Sequence, residues 1–364
     1  MNPFTTKYNS KYFFNRQNEL QALRANLENG LNTLLHSPRR LGKTALIYHL
    51  FHNFEKSKEF ETIYVDLFAS SGMADLIRVL SEKILEKYHR RNFLQGISKI
   101  LKGINASVTI TPDGIPQLDL HISETQHEST LNKLLNYLES RKKTVVIAFD
   151  EFQEVLKYKE KAEAILRTHI QPLSNVFFIF SGSSSHLLQE MFFNAKHPFY
   201  QSAEVVVLDK INRKEYFNFI QNTFIQHSKS IEPEAINFIL NFTECYTYYT
   251  QVICNQAYYN TDSVFSLSDA QQLAQNYLEN KKQDYLSLLN LLPENQKKIA
   301  IAVAKEDIVS QPTSIDFIMK YRLPSVSSVL QAIKTITDKE ILYKNSEGYT
   351  VYDVFFKRFL QKYF

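Results

Sequence analysis

Three runs in the middle of the chain, TVVIAF at 144–149, VFFIF at 176–180 and VVVL at 205–208, are apolar without interruption and rich in β-branched or aromatic residues. A strand with one wet face alternates apolar with polar side chains, so unbroken runs call for burial on both faces, the condition of a parallel sheet. Shorter β-rich runs stand at 33–36 and 62–67. Helical spacing separates them: Leu20, Leu23, Leu27 and Leu31 before the first, 45–54 after it, and Leu76, Ile77, Leu80, Ile84 and Leu85 after the second. From about residue 12 to 210 the order is repeating β and α. The fold class is α/β, an open parallel sheet with helices on both faces and ligands at the carboxyl ends of its strands.

One stretch breaks the rhythm. Val108 and Ile110, then Leu118, Leu120 and Ile122, alternate with polar residues around Pro112-Asp113-Gly114, which predicts a β-hairpin insertion at about 103–123, away from the main sheet. Beyond Lys210 strand signals disappear, and a helical subdomain rich in Phe, Tyr, Ile and Leu is expected over 211–290. Residues 291–364 then read as helices at 294–305, 313–320 and 326–337, short strands at 341–343 and 349–352 around Gly348, and a last helix. That order is a winged helix-turn-helix. The expected partition is therefore a core over 1–210, a lid over 211–290 and a winged helix over 291–364.

Ser37-Pro38-Arg39-Arg40-Leu41-Gly42-Lys43-Thr44, running into Ala45, follows a predicted strand and opens a predicted helix, the setting of a phosphate-binding loop. Backbone N–H groups and the positive end of the helix dipole would surround a β-phosphate, Lys43 would reach the β and γ oxygens, and Thr44 would offer a hydroxyl to Mg²⁺. Ser37 stands where the first glycine is usual. The run TVVIAF ends in Asp150-Glu151, two carboxylates at the end of a buried strand. Asp150 is the expected second holder of Mg²⁺, and Glu151 the group that orients or deprotonates an attacking water. At the end of the next strand Ser181, Gly182 and Ser183 follow, with Ser183 the candidate sensor of the γ-phosphate. With only 8 glycines in 364 residues, Gly42 and Gly182 are expected to hold positions that only glycine fits.

These residues together resemble the archaeal-type ATPase family, a branch of the signal-transduction (STAND) ATPases related to AAA+ proteins. Tyr12-Phe13-Phe14-Asn15-Arg16 through Leu20 is similar to its amino-terminal aromatic-Gly-Arg motif, SPRRLGKT to its Arg-Arg P-loop, DEFQE at 150–154 to its Walker B, and the tail from Pro293 to Phe356 to its winged helix. The resemblance implies that Phe14 and Arg16 border the adenine or ribose of ATP, although Asn15 replaces the usual glycine. Gln201-Ser202 replaces the Gly-Arg often found after Tyr200, so no arginine is supplied there; Arg167 and Arg213 remain as γ-phosphate ligands or as surface helix residues. The segment from Cys245 to Gln251 lacks the family's Gly-x-Pro, and Cys245 and Cys254 read as small buried apolar residues.

Two distant cysteines exclude a disulfide framework and a structural zinc site, which fits a reducing cytoplasm. No run approaches the ~18 to 20 apolar residues of a bilayer span, so no membrane partner is expected. The net charge of +4 decides nothing about nucleic acid. The leading expectation is a slow ATPase, cycling between ATP and ADP as a switch, with a protein partner or self-association. A DNA-binding or protein-binding winged helix with weak or no ATPase activity is the alternative. DNA is the less favoured partner, because the candidate recognition helix carries Lys334 and Lys339 but no Arg.

Overall fold

The computed structural model describes residues 2–88, 105–110, 116–121, 123–159, 161–183, 185–261 and 264–364. The chain forms two compact units, one over 7–209 and one joining the first six residues to 210–364.

In the unit over 7–209, five parallel strands form one sheet: β1 (Thr33–His36), β2 (Glu61–Asp66), β5 (Val145–Asp150), β6 (Val176–Ser181) and β7 (Glu204–Val207). Their order is β2-β5-β6-β1-β7. Every residue of β5 is buried, as its unbroken apolar run requires, but β7 lies at the edge of the sheet and leaves Val205 and Val207 exposed, so the burial on both faces expected of the run at 205–208 does not hold there. Helices Met73–Tyr88, Glu124–Glu139 and Ala162–Ile170 close one side through Leu76, Leu80, Leu131, Leu135 and Leu166, which pack with Ile63, Ile147 and Phe178 of the strands. Beside them, Phe149, Phe152, Phe180, Phe192 and Phe199 form an aromatic cluster, with Phe152 and Phe180 centred 4.6 Å apart. Alternate strand residues, such as Val146, Ala148 and Ile179, are buried on the opposite side, where helices Gln17–Glu28 and Lys43–Ser57 lie.

The expected excursion is a separate antiparallel pair, β3 (Asn105–Ile110) with β4 (Pro116–His121), whose Leu118 is fully buried. The expected turn residues Pro112-Asp113-Gly114, and Ile122, lie outside the described residues.

The other unit is mainly helical, from Arg213–Gln226 to Val354–Tyr363. Its winged-helix part carries helices Glu294–Glu306, Ile315–Lys320 and Val326–Asp338 and the strand pair β10 (Leu342–Lys344) and β11 (Tyr349–Val351). Val309 bridges to Tyr349, and a side chain on Gly348 would meet the Val309 carbonyl at 2.5 Å, which explains a glycine at the wing's tip.

Two further expectations need correction. Strands do occur beyond residue 210: β8 (Ser230–Ile231) pairs in parallel with β9 (Val264–Phe265), too short to leave a periodic signal. The first residues do not belong to the core over 1–210. Phe4 is fully buried against Phe219, Phe224 and Tyr258, Asn255 Nδ2 donates to the Phe4 carbonyl, and Asn2 Nδ2 donates to the Asn255 carbonyl. Cys245 and Cys254 are buried free thiols, and burial pushes both upward in pKa.

Candidate nucleotide site

Three adjacent strands, β5, β6 and β1, end side by side and deliver the sequence-predicted residues to one place. The loop after β1 turns through Arg40 (φ 67°) and Gly42 (φ 99°) before the helix Lys43–Ser57 begins, so Gly42 meets a conformational demand that suits glycine. Ser37, 1% exposed, donates its hydroxyl to the Pro38 carbonyl; a small residue fits this tight start as glycine does elsewhere. Lys43 is 7% exposed and its Nζ donates to the carbonyls of Ser37 and Pro38, both at 3.0 Å. Burial pushes its ammonium down to about 8, against the pull of Asp150 and Glu151 and with Arg39 adding to the fall. A buried ammonium held by two loop carbonyls at the start of a helix gains from an anion beside it, which offsets its burial.

Asp150 is buried and receives four donors. Its Oδ2 accepts from Thr44 Oγ1 at 2.9 Å and from Tyr64 Oη at 2.6 Å. Its Oδ1 accepts from Ser181 Oγ at 2.7 Å and from the Glu151 N–H at 3.1 Å. Asp66 pairs with Asp150 across β2 and β5, and burial raises its pKa, as do the nearby Asp150 and Glu151. Thr44 and Asp150, the two expected holders of Mg²⁺, are thus in contact and offer hard oxygen donors. Among the described residues no group of three or more His, Cys, Asp or Glu could hold a metal by itself. That donor set fits an ion that takes its remaining ligands from phosphate and water, as Mg²⁺ does.

Glu151 has a left-handed backbone (φ 56°) and is the hub of a second network. Its Oε2 accepts from the Ser183 N–H at 3.1 Å, the Ser183 hydroxyl at 2.7 Å and Gln153 Nε2 at 2.5 Å. Arg39 Nη2 donates to Ser183 Oγ at 2.9 Å, so the first arginine of the loop is tied to the sensor position. At Gly182 a Cβ would lie 1.9 Å from Gln153 Oε1, so a larger residue there would have to push the Gln153 amide aside.

The amino-terminal motif lies close to the loop. Arg16, 5% exposed, donates to the Leu41 carbonyl at 3.3 Å and to Glu19 at 2.9 Å, so its guanidinium braces the loop. Asn15 and Arg16 have φ of 65° and 79°, which accounts for asparagine where glycine is usual, since Asn tolerates this region. Phe14 is half-buried. Phe13 stacks on His49 at 3.9 Å and 7°, and Tyr8 Oη lies 3.2 Å from His49 Nδ1. Ala45 follows Thr44 in the first turn of the helix. Arg167 sits on helix Ala162–Ile170, and Arg213 donates to the carbonyl and side chain of Asn237 at 3.1 and 3.2 Å.

Sequence reasoning missed Tyr64, Gln153, Tyr8 and His49. Only Gln153 had a visible signal, its place two residues after the carboxylate pair. Tyr64 is 86 positions from Asp150, and nothing local marks it.

Residues 13–251 match the family of ATPase domains found predominantly in Archaea, and residues 283–362 match a probable winged helix domain. Among solved structures, a Walker-type ATPase of Pyrococcus abyssi is similar with a TM-score of 0.68 at 18% identity, over 99% of each chain. The ORC2 protein of Aeropyrum pernix in ADPNP and ADP complexes gives 0.53 at 12% identity, over 99% of this chain and 97% of that one. The Aeropyrum pernix ORC1 protein in complex with DNA gives 0.52 at 12% identity, over 96% and 93%. No curated protein matches. At these identities the structural likeness speaks for the fold. The family match covers well over half of the chain, and with the P-loop geometry above it places this protein in the archaeal-type ATPase domain family, followed by a winged helix domain.

Proposed function

We propose that this chain binds ATP at the loop 37–44 and hydrolyses it slowly, and that the bound nucleotide sets the arrangement of its helical and winged-helix parts. The observation that carries the reading is the convergence of Lys43, the Thr44–Asp150 pair and the Glu151–Ser183–Arg39 chain at the ends of three neighbouring strands. The loop N–H groups and Lys43 bind the phosphates, and the phosphate charge offsets the burial that disfavours the ammonium. Thr44 and Asp150 would hold Mg²⁺, which when bound neutralises charge on the phosphate oxygens. Glu151 orients the attacking water and accepts its proton. Ser183 and Gln153 hold its Oε2, which fixes the carboxylate's orientation and leaves Oε1 as the oxygen to receive the proton. Donors on Oε2 draw negative charge away from Oε1, which favours slow turnover. Ser183 and Arg39 then have a γ-phosphate as their alternative partner. Release of that contact after hydrolysis is the switching event. A cytoplasmic location accords with the two free thiols.

For the winged helix, a protein partner or a second copy is favoured over DNA. Helix Val326–Asp338 exposes Val326 and Leu330, about half of each, and of the Arg, Asn and Gln that base readout relies on it carries Gln331 alone.

The test is ATP binding and turnover by wild type, Lys43→Ala and Glu151→Gln, with and without Mg²⁺, and with duplex DNA as a further condition. Wild type is expected to bind and hydrolyse, Lys43→Ala to lose binding, and Glu151→Gln to bind without hydrolysis. Failure of wild type to bind any nucleotide overturns the reading. Stimulation by duplex DNA reverses the ranking of partners.

A further inference from the structure

A cavity of about 560 Å³ opens between helices Thr247–Asn260 and Leu267–Asn280, in the unit that does not contain the P-loop. Its walls are unusual in chemistry. Gln256 and Asn260 stand on one helix and Gln272, Asn276 and Asn280 on the other, five carboxamides in one groove. Four-residue spacing sets each group in a row along its helix. The floor is apolar, with Leu273 8% and Phe265 3% exposed. None of the described lining residues is Lys or Arg. The one acid among the described lining residues, Asp269, is engaged in capping its own helix, where it accepts from Ser266 N–H at 2.9 Å and Ser266 Oγ at 2.7 Å.

A neutral carboxamide donates and accepts in one plane, as a peptide group does. Successive carboxamides on a helix recur every ~6 Å. Alternate peptide groups of an extended chain recur every ~6.6 Å. The two repeats drift by less than ~1 Å per step, so a row of three carboxamides can follow an extended backbone over about five residues. Gln272 Nε2 already donates to Asn276 Oδ1 at 2.8 Å, which aligns neighbouring rungs along the row. A nucleic acid would bring phosphates into a groove without a cation. A sugar or base would want an open aromatic platform, and the ring of Tyr277 is instead packed on Phe355 at 4.5 Å.

We propose that this groove binds an extended, uncharged polypeptide segment of a partner protein through its backbone amides. The proposal does not depend on nucleotide binding. Its test begins with selection of a random heptapeptide phage library on the full-length chain, followed by calorimetry with the selected peptide in synthetic form. Gln272→Leu/Asn276→Leu is expected to weaken binding at least tenfold, and so is N-methylation of alternate peptide nitrogens. Asn276→Asp, which keeps the shape but removes the donors, is expected to weaken it as well. Lys43→Ala is expected to bind the peptide as wild type does, which separates this site from the P-loop. Circular dichroism melts of the variants are expected to match wild type, because Gln272 and Asn276 are exposed. The proposal is overturned if no heptapeptide is enriched, if the selected peptide binds the double Leu variant or its N-methylated form undiminished, or if oligo-dT or maltoheptaose occupies the groove and the peptide does not compete.

Discussion

Tyr64 shows how one side chain from a neighbouring strand can set the properties of the site. Its hydroxyl shares Asp150 Oδ2 with Thr44, and both burial and the adjacent carboxylate push its pKa upward, so it stays a donor across the working range. Removing that donor leaves Asp150 with fewer hydrogen bonds and a looser carboxylate. We expect Tyr64→Phe to raise the Mg²⁺ concentration for half-maximal turnover several-fold while leaving Mg²⁺-free ATP affinity unchanged. A titration of ATPase rate against Mg²⁺, beside nucleotide binding in EDTA, checks both halves. Gly182 acts through space rather than through chemistry: the room its missing Cβ leaves is filled by the Gln153 amide that holds Glu151. The Ser-Gly-Ser spacing pointed to this turn in the sequence, but the Gln153 side chain that fills the space beside it could not be seen.

At the scale of elements, charge ties the ends of strands and helices together. Glu61, at the start of β2, accepts from Tyr88 at 2.7 Å and pairs with Arg141 at 3.2 Å. Burial works against its charge, yet the hydrogen bonds from Arg141 and Tyr88 outweigh it, and the Glu61 pKa lies below the ordinary 4.5. A depressed carboxylate pKa contributes stability that is fully present above the unfolded value and is lost as pH falls through the folded one. The stability advantage of wild type over Glu61→Gln is therefore expected to shrink as pH falls from about 5 to below 4, and urea unfolding across that range measures it.

In the other unit, Lys357 is 2% exposed and pairs with Glu244 and, at 3.3 Å, with Asp307, while Arg358 donates to the carbonyls of Asn241 and Phe242. These contacts join the last helix to the carboxyl end of helix Pro233–Thr243, where cations are favoured. Lys357→Ala removes the buried cation between Glu244 and Asp307, while Arg358 at 3.3 Å and Lys210 at 3.6 Å still face Glu244. A loss of about 1 to 2 kcal/mol is therefore expected in chemical denaturation, with Glu244→Gln in the same chain recovering part of it.

For the molecule as a whole, the amino terminus belongs to the carboxyl-terminal unit. Phe4→Ala removes a fully buried ring from its cluster with Phe219, Phe224 and Tyr258, a loss of about 3 to 5 kcal/mol. The thermal transition of that unit is expected to fall while the ATP affinity of the P-loop is kept. Calorimetry with and without nucleotide tells the two transitions apart.

The sequence by itself determined the parts whose physics is local. Three unbroken apolar runs and two shorter β-rich ones located the five strands of the main sheet to within a residue or so. Burial on both faces, which unbroken runs call for, holds for β5 and nearly so for β6 but not for the edge strand β7. The loop, the carboxylate pair and the Ser-Gly turn were legible because each is a short segment at a strand end, and strand ends are where such sheets hold ligands. The winged helix was legible from the order of its elements. What only the tertiary structure decided are meetings between residues far apart in the chain: Tyr64 with Asp150, Arg39 with Ser183, Phe4 with Tyr258, and the two facing carboxamide rows. Those meetings depend on strand order, register and helix packing, which arise from the summed burial of the whole core and leave no periodic mark on the residues that come together.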